Sequence, residues 1–187
     1  MQTIVTASHI VRLLGLHSSK FAVSSRRIGD LEFGIKSTHS VKTTDRAIEA
    51  FKIICDNQVS GIAIVDSNGK LVGNISASDL RVIFFILFVS FFFFDFFLFL
   101  VQQQVGYDGK LMSKLLLSVQ DFAKLIPKNT DFPGPYCVRK TATVYDVVEI
   151  IRESRTHRVY VVDDEKHPIG VISLIDIIDL MLRSVDQ

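Results

Sequence analysis

The sequence predicts an α+β fold built from two copies of one β-α-β-β-α unit, and three observations carry that expectation. The first is a pattern found at three places, IVTASHIV (4–11), NISASDLR (74–81) and VISLIDII (171–178). Each has an apolar stretch, Ser or Thr, two residues, Asp or His, and then aliphatic residues. An apolar β-branched run that changes to helical spacing marks a strand passing into a helix. The second is what precedes the two later copies: in each, an amphipathic helix, a buried strand and a hairpin lead up to the junction. The third is spacing, since Asp66 to Asp79 is thirteen residues and so is Asp163 to Asp176. Neither unit could bury its sheet alone, so the two form an internal repeat.

The elements follow in order. TTDRAIEAFKIICDNQ (43–58) is expected to be a helix capped by Thr, with Ala47, Ile48, Phe51 and Ile54 on one face. VSGIAIVD (59–66) is a buried strand, SNGK a turn, and LVGNIS a second strand. In the other copy TATVYDVVEIIRESR (141–155) is the helix and THRVYVVD (156–163) the buried strand. DEKHP then turns the chain into IGVIS (169–173). Thr6, Ser76 and Ser173 fall where a helix starts, so their hydroxyls are placed to accept from free N–H groups.

Composition excludes several classes. A chain of 187 residues holds one or two small domains with a proper core. A net charge of +1 gives no bulk attraction to nucleic acid or to an anionic surface. Cys55 and Cys137 stand in no CxxC or metal-like spacing and are expected to be two buried thiols in a reducing compartment. The first twenty residues lack the charged region and long apolar run of a signal peptide. The five histidines are scattered, and no GxGxxG, GxxxxGKS, HExxH or paired-Cys motif occurs. No enzyme activity and no metal site is expected, and Asp163 and Asp164 are read as a solvated turn.

One segment interrupts this order. Phe84 to Val101 reads FFILFVSFFFFDFFLFLV, and the chain has 15 Phe in all, most of them here. From Val82 onward only Ser90 and Asp95 are polar, so length and hydropathy alone make it a transmembrane candidate. A single crossing would put the two repeats on opposite sides of a bilayer, and Asp95 near its centre would cost ~2.5–3.5 kcal/mol. Removing Phe84–Gln104 joins SASDLRVI to VGYDGKLMSKLL without a break in the pattern. Phe, Leu, Ser and Val codons are rich in pyrimidines, and a run of them ending in Gln fits a pyrimidine tract before an acceptor CAG. A translated intron is therefore preferred to a membrane or partner-binding insert and to a core helix. The segment is expected to have no part in function, and a membrane is not an expected partner.

The element order, the aliphatic-rich strand ending in VVD, the Gly after the hairpin and the Ser-x-x-Asp ending resemble cystathionine-β-synthase (CBS) domains. Those domains come in pairs that form a regulatory module binding adenine nucleotides. THRVYVVDDEKHPIGVISLIDII resembles the last repeat of the γ subunits of AMP-activated and sucrose-non-fermenting kinases, which carry four repeats. The resemblance implies tandem CBS repeats packed about a pseudo-twofold axis. It divides the chain into residues 1–33, the tail of a preceding incomplete repeat plus a linker; 34–126, one repeat with the apolar insertion 84–104 and an exit helix; and 127–187, the other repeat. The chain is accordingly expected to be the C-terminal part of a four-repeat protein.

A nucleotide site needs a carboxylate for the ribose diol, hydroxyls or backbone N–H groups for phosphate, and cations against phosphate charge. The resemblance implies Asp79 and Asp176 for ribose, with Ser76, Ser173 and Thr6 near phosphates. It implies His157 and Arg158 against the α-phosphate of AMP. Ser60-Gly61 takes their place in the first repeat and offers no cation. Arg139 and Lys140 are weaker candidates, Ile175 replaces a small hydroxyl common in the γ subunits, and His9 replaces the Asp. Plain helix capping accounts for Ser76, Asp79, Ser173 and Asp176 equally directly one at a time, though less well for the same pair in both repeats.

The function implied is that of a non-catalytic, energy-sensing regulatory subunit binding AMP, ADP or ATP in the cleft between repeats. Its partners would be the kinase catalytic subunit and β scaffold subunit, with homodimerisation through the repeats and a cytoplasmic or nuclear location. The rival readings are a stand-alone CBS pair regulating a channel, transporter or redox enzyme, and a structural interaction module with empty sites.

Overall fold

The computed structural model describes residues 22–31, 35–80, 113–126 and 135–184. Thr6, His9 and the apolar run 84–104 lie outside them. Contacts divide the chain into two compact units, one of His39–Asn68 with Val72–Pro133, the other of Met1–Thr38, Gly69–Leu71 and Gly134–Gln187.

The first repeat runs β1 (Ser40–Lys42), α1 (Ala47–Asp56), β2 (Gly61–Val65) and β3 (Leu71–Ser76), with residues 77–80 helical and α2 (Val119–Lys124) returning to it. The sheet has the order β1-β2-β3, and β1 lies parallel to β2 with Val41 opposite Ile64. Parallel neighbours need a crossover, which α1 supplies. β2 is apolar and buried from Ile62 to Val65 because it is the central strand. Its core joins Val41, Ala47, Ala50, Ile54, Ile62, Ile64 and Ile75 to Val119 and Phe122 of α2. Phe51 meets Phe122 edge to face, 5.3 Å between centroids at 73°.

Two expectations for α1 are corrected. Its inward face carries Ala47, Ala50 and Ile54, whereas Ile48 is exposed, one position round the helix from the stripe. Its N-cap is Arg46, with no side-chain cap, not a Thr. The amide that a Thr would have served is instead bonded by backbone: Ala47 N–H donates to Leu117 O at 2.9 Å. That is one of the ways a helix's free amides are satisfied.

The second repeat runs β4 (Cys137–Arg139), α3 (Val144–Ser154), β5 (Arg158–Val162), β6 (Pro168–Ser173) and α4 (Leu174–Arg183), with strand order β4-β5-β6. β4 is parallel to β5, and β6 is antiparallel to it. Val144, Val147, Val148 and Ile151 of α3 and Leu174, Ile177, Leu180 and Met181 of α4 close on Val159, Val161 and Ile172. Full burial of each such side chain contributes about 1.5–3 kcal/mol. Both units are thus the α+β arrangement expected, each a three-stranded sheet with helices packed on it.

A feature without a counterpart in the sequence pattern is a second internal match. In the first repeat Val119 N–H donates to Asp45 O, Gln120 N–H to Thr43 O, and Arg46 bridges Ser118. In the second, Ile28 N–H donates to Ala142 O, Gly29 N–H to Lys140 O, and Arg27 bridges Thr143. The segment 22–31 therefore closes the second repeat as 113–126 closes the first, although it stands more than a hundred residues before it in the chain.

The cysteines also differ from expectation: Cys55 and Cys137 are both exposed and free. Cys55 lies off the Ala47–Ala50–Ile54 stripe, and Cys137 alternates with the buried Val138 on β4, so each faces outward. Among the described residues no helix is long and apolar enough to cross a membrane.

Candidate functional site

The antiparallel pairing of β5 with β6 sets Arg158 directly opposite Ser173, and the Leu174 N–H donates to His157 O at 3.1 Å. Hence four predicted residues, His157, Arg158, Ser173 and Asp176, come together at one edge of the second repeat. Ser173 ends β6 and caps α4. Its Oγ accepts from Asp176 N–H at 3.4 Å, while Asp176 Oδ2 accepts Ser173 N–H at 2.8 Å and Ser173 Oγ–H at 2.6 Å. This reciprocal capping box satisfies the first free amides of the helix.

Sequence reasoning missed the partner of the other carboxylate oxygen. Lys36 Nζ lies 2.7 Å from Asp176 Oδ1, with the Lys side chain 65% exposed and the Asp side chain 9% exposed. The main chain of Lys36 pairs with β6 in both directions, Lys36 N–H to Val171 O at 3.1 Å and Val171 N–H to Lys36 O at 3.0 Å. A Cβ at Gly170 would collide with Ile35 Cγ2, so only glycine admits this segment. That lone Gly in an apolar strand was the available signal of a close backbone approach.

The first repeat repeats the geometry with less charge. Asp79 Oδ2 accepts Ser76 N–H at 2.7 Å and Ser76 Oγ–H at 2.9 Å, and Ser76 Oγ is 2.6 Å from Ser78 Oγ. Ala77 N–H donates to Ser60 O at 3.1 Å, so Ser60 stands where His157 does. Of the other candidates, His157 is exposed and Arg158 half-buried. Arg139 is drawn to Asp164 at 3.4 Å, and Ile175 is 69% exposed.

Asp163 is not simply solvated, as the sequence suggested. Its ligand atom, with those of Glu165 and His167, forms a group lying within 4.8 Å. The Asp163 carboxylate is already engaged by its own turn, however, accepting Glu165 N–H at 3.1 Å and His167 N–H at 2.7 Å, with His167 Nδ1 at 3.0 Å. Partial burial pushes its pKa up, but the hydrogen bonds and charge of His167, with the Glu165 amide, outweigh this and hold it below the ordinary carboxylate range.

The profile of the CBS domain matches residues 30–85 and 130–183, more than half of the chain. The chain belongs to the CBS-domain family. The two CBS repeats are also similar to the 5'-AMP-activated protein kinase subunit gamma of Saccharomyces cerevisiae, 26% identical over 181 residues, covering 96% of this chain and 48% of that protein. They are 29% identical over 167 residues to the SNF1-related protein kinase regulatory subunit gamma-1-like of Arabidopsis thaliana, covering 83% and 32%. The chain thus spans half the length, or less, of these curated relatives. The crystal structure of CBSX2 in complex with AMP matches with a TM-score of 0.56 at 21% identity, over 86% of this chain and 98% of that one. A second crystal structure, of the CBS-pair protein CBSX2 from Arabidopsis thaliana, matches with a TM-score of 0.59 at 23% identity, over 87% and 99%. At these identities the likeness is one of fold.

Proposed function

We propose that this chain is a non-catalytic regulatory subunit that senses adenine nucleotide, AMP, ADP or ATP, within a protein kinase complex containing catalytic and β scaffold subunits. The repeats are taken as residues 34–126 and 127–187, and the location as cytoplasmic or nuclear. The observation that carries the reading is the edge of the second repeat, where Arg158 faces Ser173 and Asp176 follows one turn on. A carboxylate, a hydroxyl and a guanidinium there are the groups that a ribose and its phosphate require. Two matched relatives are named as kinase γ subunits, and CBSX2 is described in complex with AMP. Asp79 and Ser76 would form a weaker site, lacking the His-Arg pair. Ligand would act by binding one conformation better than another, which the kinase then reads.

Titration calorimetry with AMP on Asp176→Ala and Arg158→Ala tests the assignment. Each substitution deletes a charged hydrogen bond, worth ~1.5–3 kcal/mol. The expected outcome is a loss of roughly 10–150-fold in affinity. If Asp176 is only a cap, Asp176→Ala costs ~1 kcal/mol in stability and leaves affinity alone. Thermal melts of the same variants separate the two results. The alternative, a free-standing CBS pair that regulates another protein, has the fold likeness to CBSX2 in its favour, and retention of kinase and β subunits in a pull-down decides against it. Homodimerisation through the repeats is part of the same proposal.

A further inference from the structure

We infer that Lys36 is a latch on the nucleotide site, competing with ligand for Asp176; the inference rests on the nucleotide reading above. Asp176 Oδ2 is committed to the capping box, receiving both the N–H and the O–H of Ser173. Oδ1 is the oxygen left for the hydroxyls of a ribose, and Lys36 Nζ holds it at 2.7 Å. The ammonium also cancels the carboxylate's charge at the point where charge would strengthen a ribose hydrogen bond.

Lys36 is brought there by construction. Paired main-chain bonds fix it to Val171, and Ile35 is seated over the bare Cα of Gly170 and packs on the core of the second repeat. Its side chain is nevertheless 65% exposed. The ammonium can therefore swing into solvent while the backbone and Ile35 stay seated. Binding of a nucleoside requires that swing, and the lost ion pair is subtracted from the affinity. The latch recognises the ribose end of the ligand, so it acts on nucleosides with or without phosphate.

Calorimetric titration of the full chain and of Lys36→Met with AMP and with adenosine tests this. Methionine keeps much of the aliphatic stem and removes the charge. The expected result is tighter binding of both ligands to Lys36→Met by a similar factor, about two- to fivefold, the strength of a largely exposed ion pair. Weaker AMP binding by the variant would make Lys36 a phosphate contact and overturn the latch, as would tightening confined to AMP. Equal affinities in the two proteins overturn the latch but leave the nucleotide reading standing. Binding of neither ligand by either protein, with circular dichroism showing both folded, overturns both.

Discussion

Asp163 Oδ1 accepts two amides of its turn, those of Glu165 and His167, and Asp66 Oδ1 accepts the Asn68 amide at 2.8 Å in the equivalent turn of the first repeat. Three residues after each aspartate the chain enters the left-handed region, at Gly69 with φ +79° and at Lys166 with φ +71°. Glycine takes that conformation freely, whereas lysine is strained there. In the second turn Asp163 grips the chain just past that lysine by binding His167 through both the backbone N–H and the ring. Those contacts depress the Asp163 pKa. A group whose pKa is lower when folded contributes stability above its unfolded value and loses it as pH falls through the folded one. Asp163→Asn should therefore lower the melting temperature at neutral pH, and the gap from the parent should narrow as the pH falls below the ordinary aspartate value of about 3.9. A gap that stays constant throughout that acid range would sink the charge argument and leave only shape.

At the level of elements, the crossover helices of the two repeats are started differently. Thr143 caps α3 through a reciprocal box: its Oγ1 accepts from Asp146 N–H at 3.2 Å, and Asp146 Oδ2 accepts Thr143 N–H at 2.8 Å. α1 begins at Arg46 without any side-chain cap. Thr143→Ala should cost about 1 kcal/mol in chemical unfolding, while Arg46→Ala should not cost helix stability through capping. A Thr143→Ala loss as small as that of Arg46→Ala would mean that backbone closure by residues 22–31 carries α3, as residues 113–126 carry α1. This contrast also marks what the sequence could disclose. Strands β2 and β5 were legible because buried central strands are unbroken apolar runs, and Ser173 and Asp176 because a box has a fixed offset. The cap of α1 was misread because the two threonines before it are good caps locally, yet the bonding came from Leu117, seventy residues on. Closure by 22–31 was invisible for a related reason: it uses main-chain N–H and C=O groups, which every residue has. Of the candidate site, Ser173 and Asp176 could be read from the offset shared by both repeats and His157 and Arg158 only through the family resemblance, but Lys36 could not, since its tie to Asp176 spans 140 positions and shows only in three dimensions.

At the scale of the molecule, the apolar run leaves and rejoins a single unit. Residues 72–80 and 113–126 both belong to the body that contains β1 and β2, and Val119 and Phe122 are fully buried in its core. A span of about 20 apolar residues crossing a bilayer delivers its two ends to opposite faces, roughly 30 Å apart. The eleven residues between Val101 and Ser113 would then have to bring α2 back across the membrane to reach Phe51 and Ile54. Asp95 adds a further cost to that path. The family match ends at residue 85 and resumes at 130, so all of the run after its first two residues falls between the two matched segments. Deleting Phe84–Gln104 should therefore leave both sheets, the melting transition and AMP affinity as they are, while removing a strongly apolar stretch of sequence and with it a tendency to aggregate. Circular dichroism, thermal melts and light scattering of the deleted and full chains make the comparison. A deleted chain that loses its folded spectrum would show that the run supplies core packing to the first repeat, and one that folds but no longer binds AMP would place the run at the site.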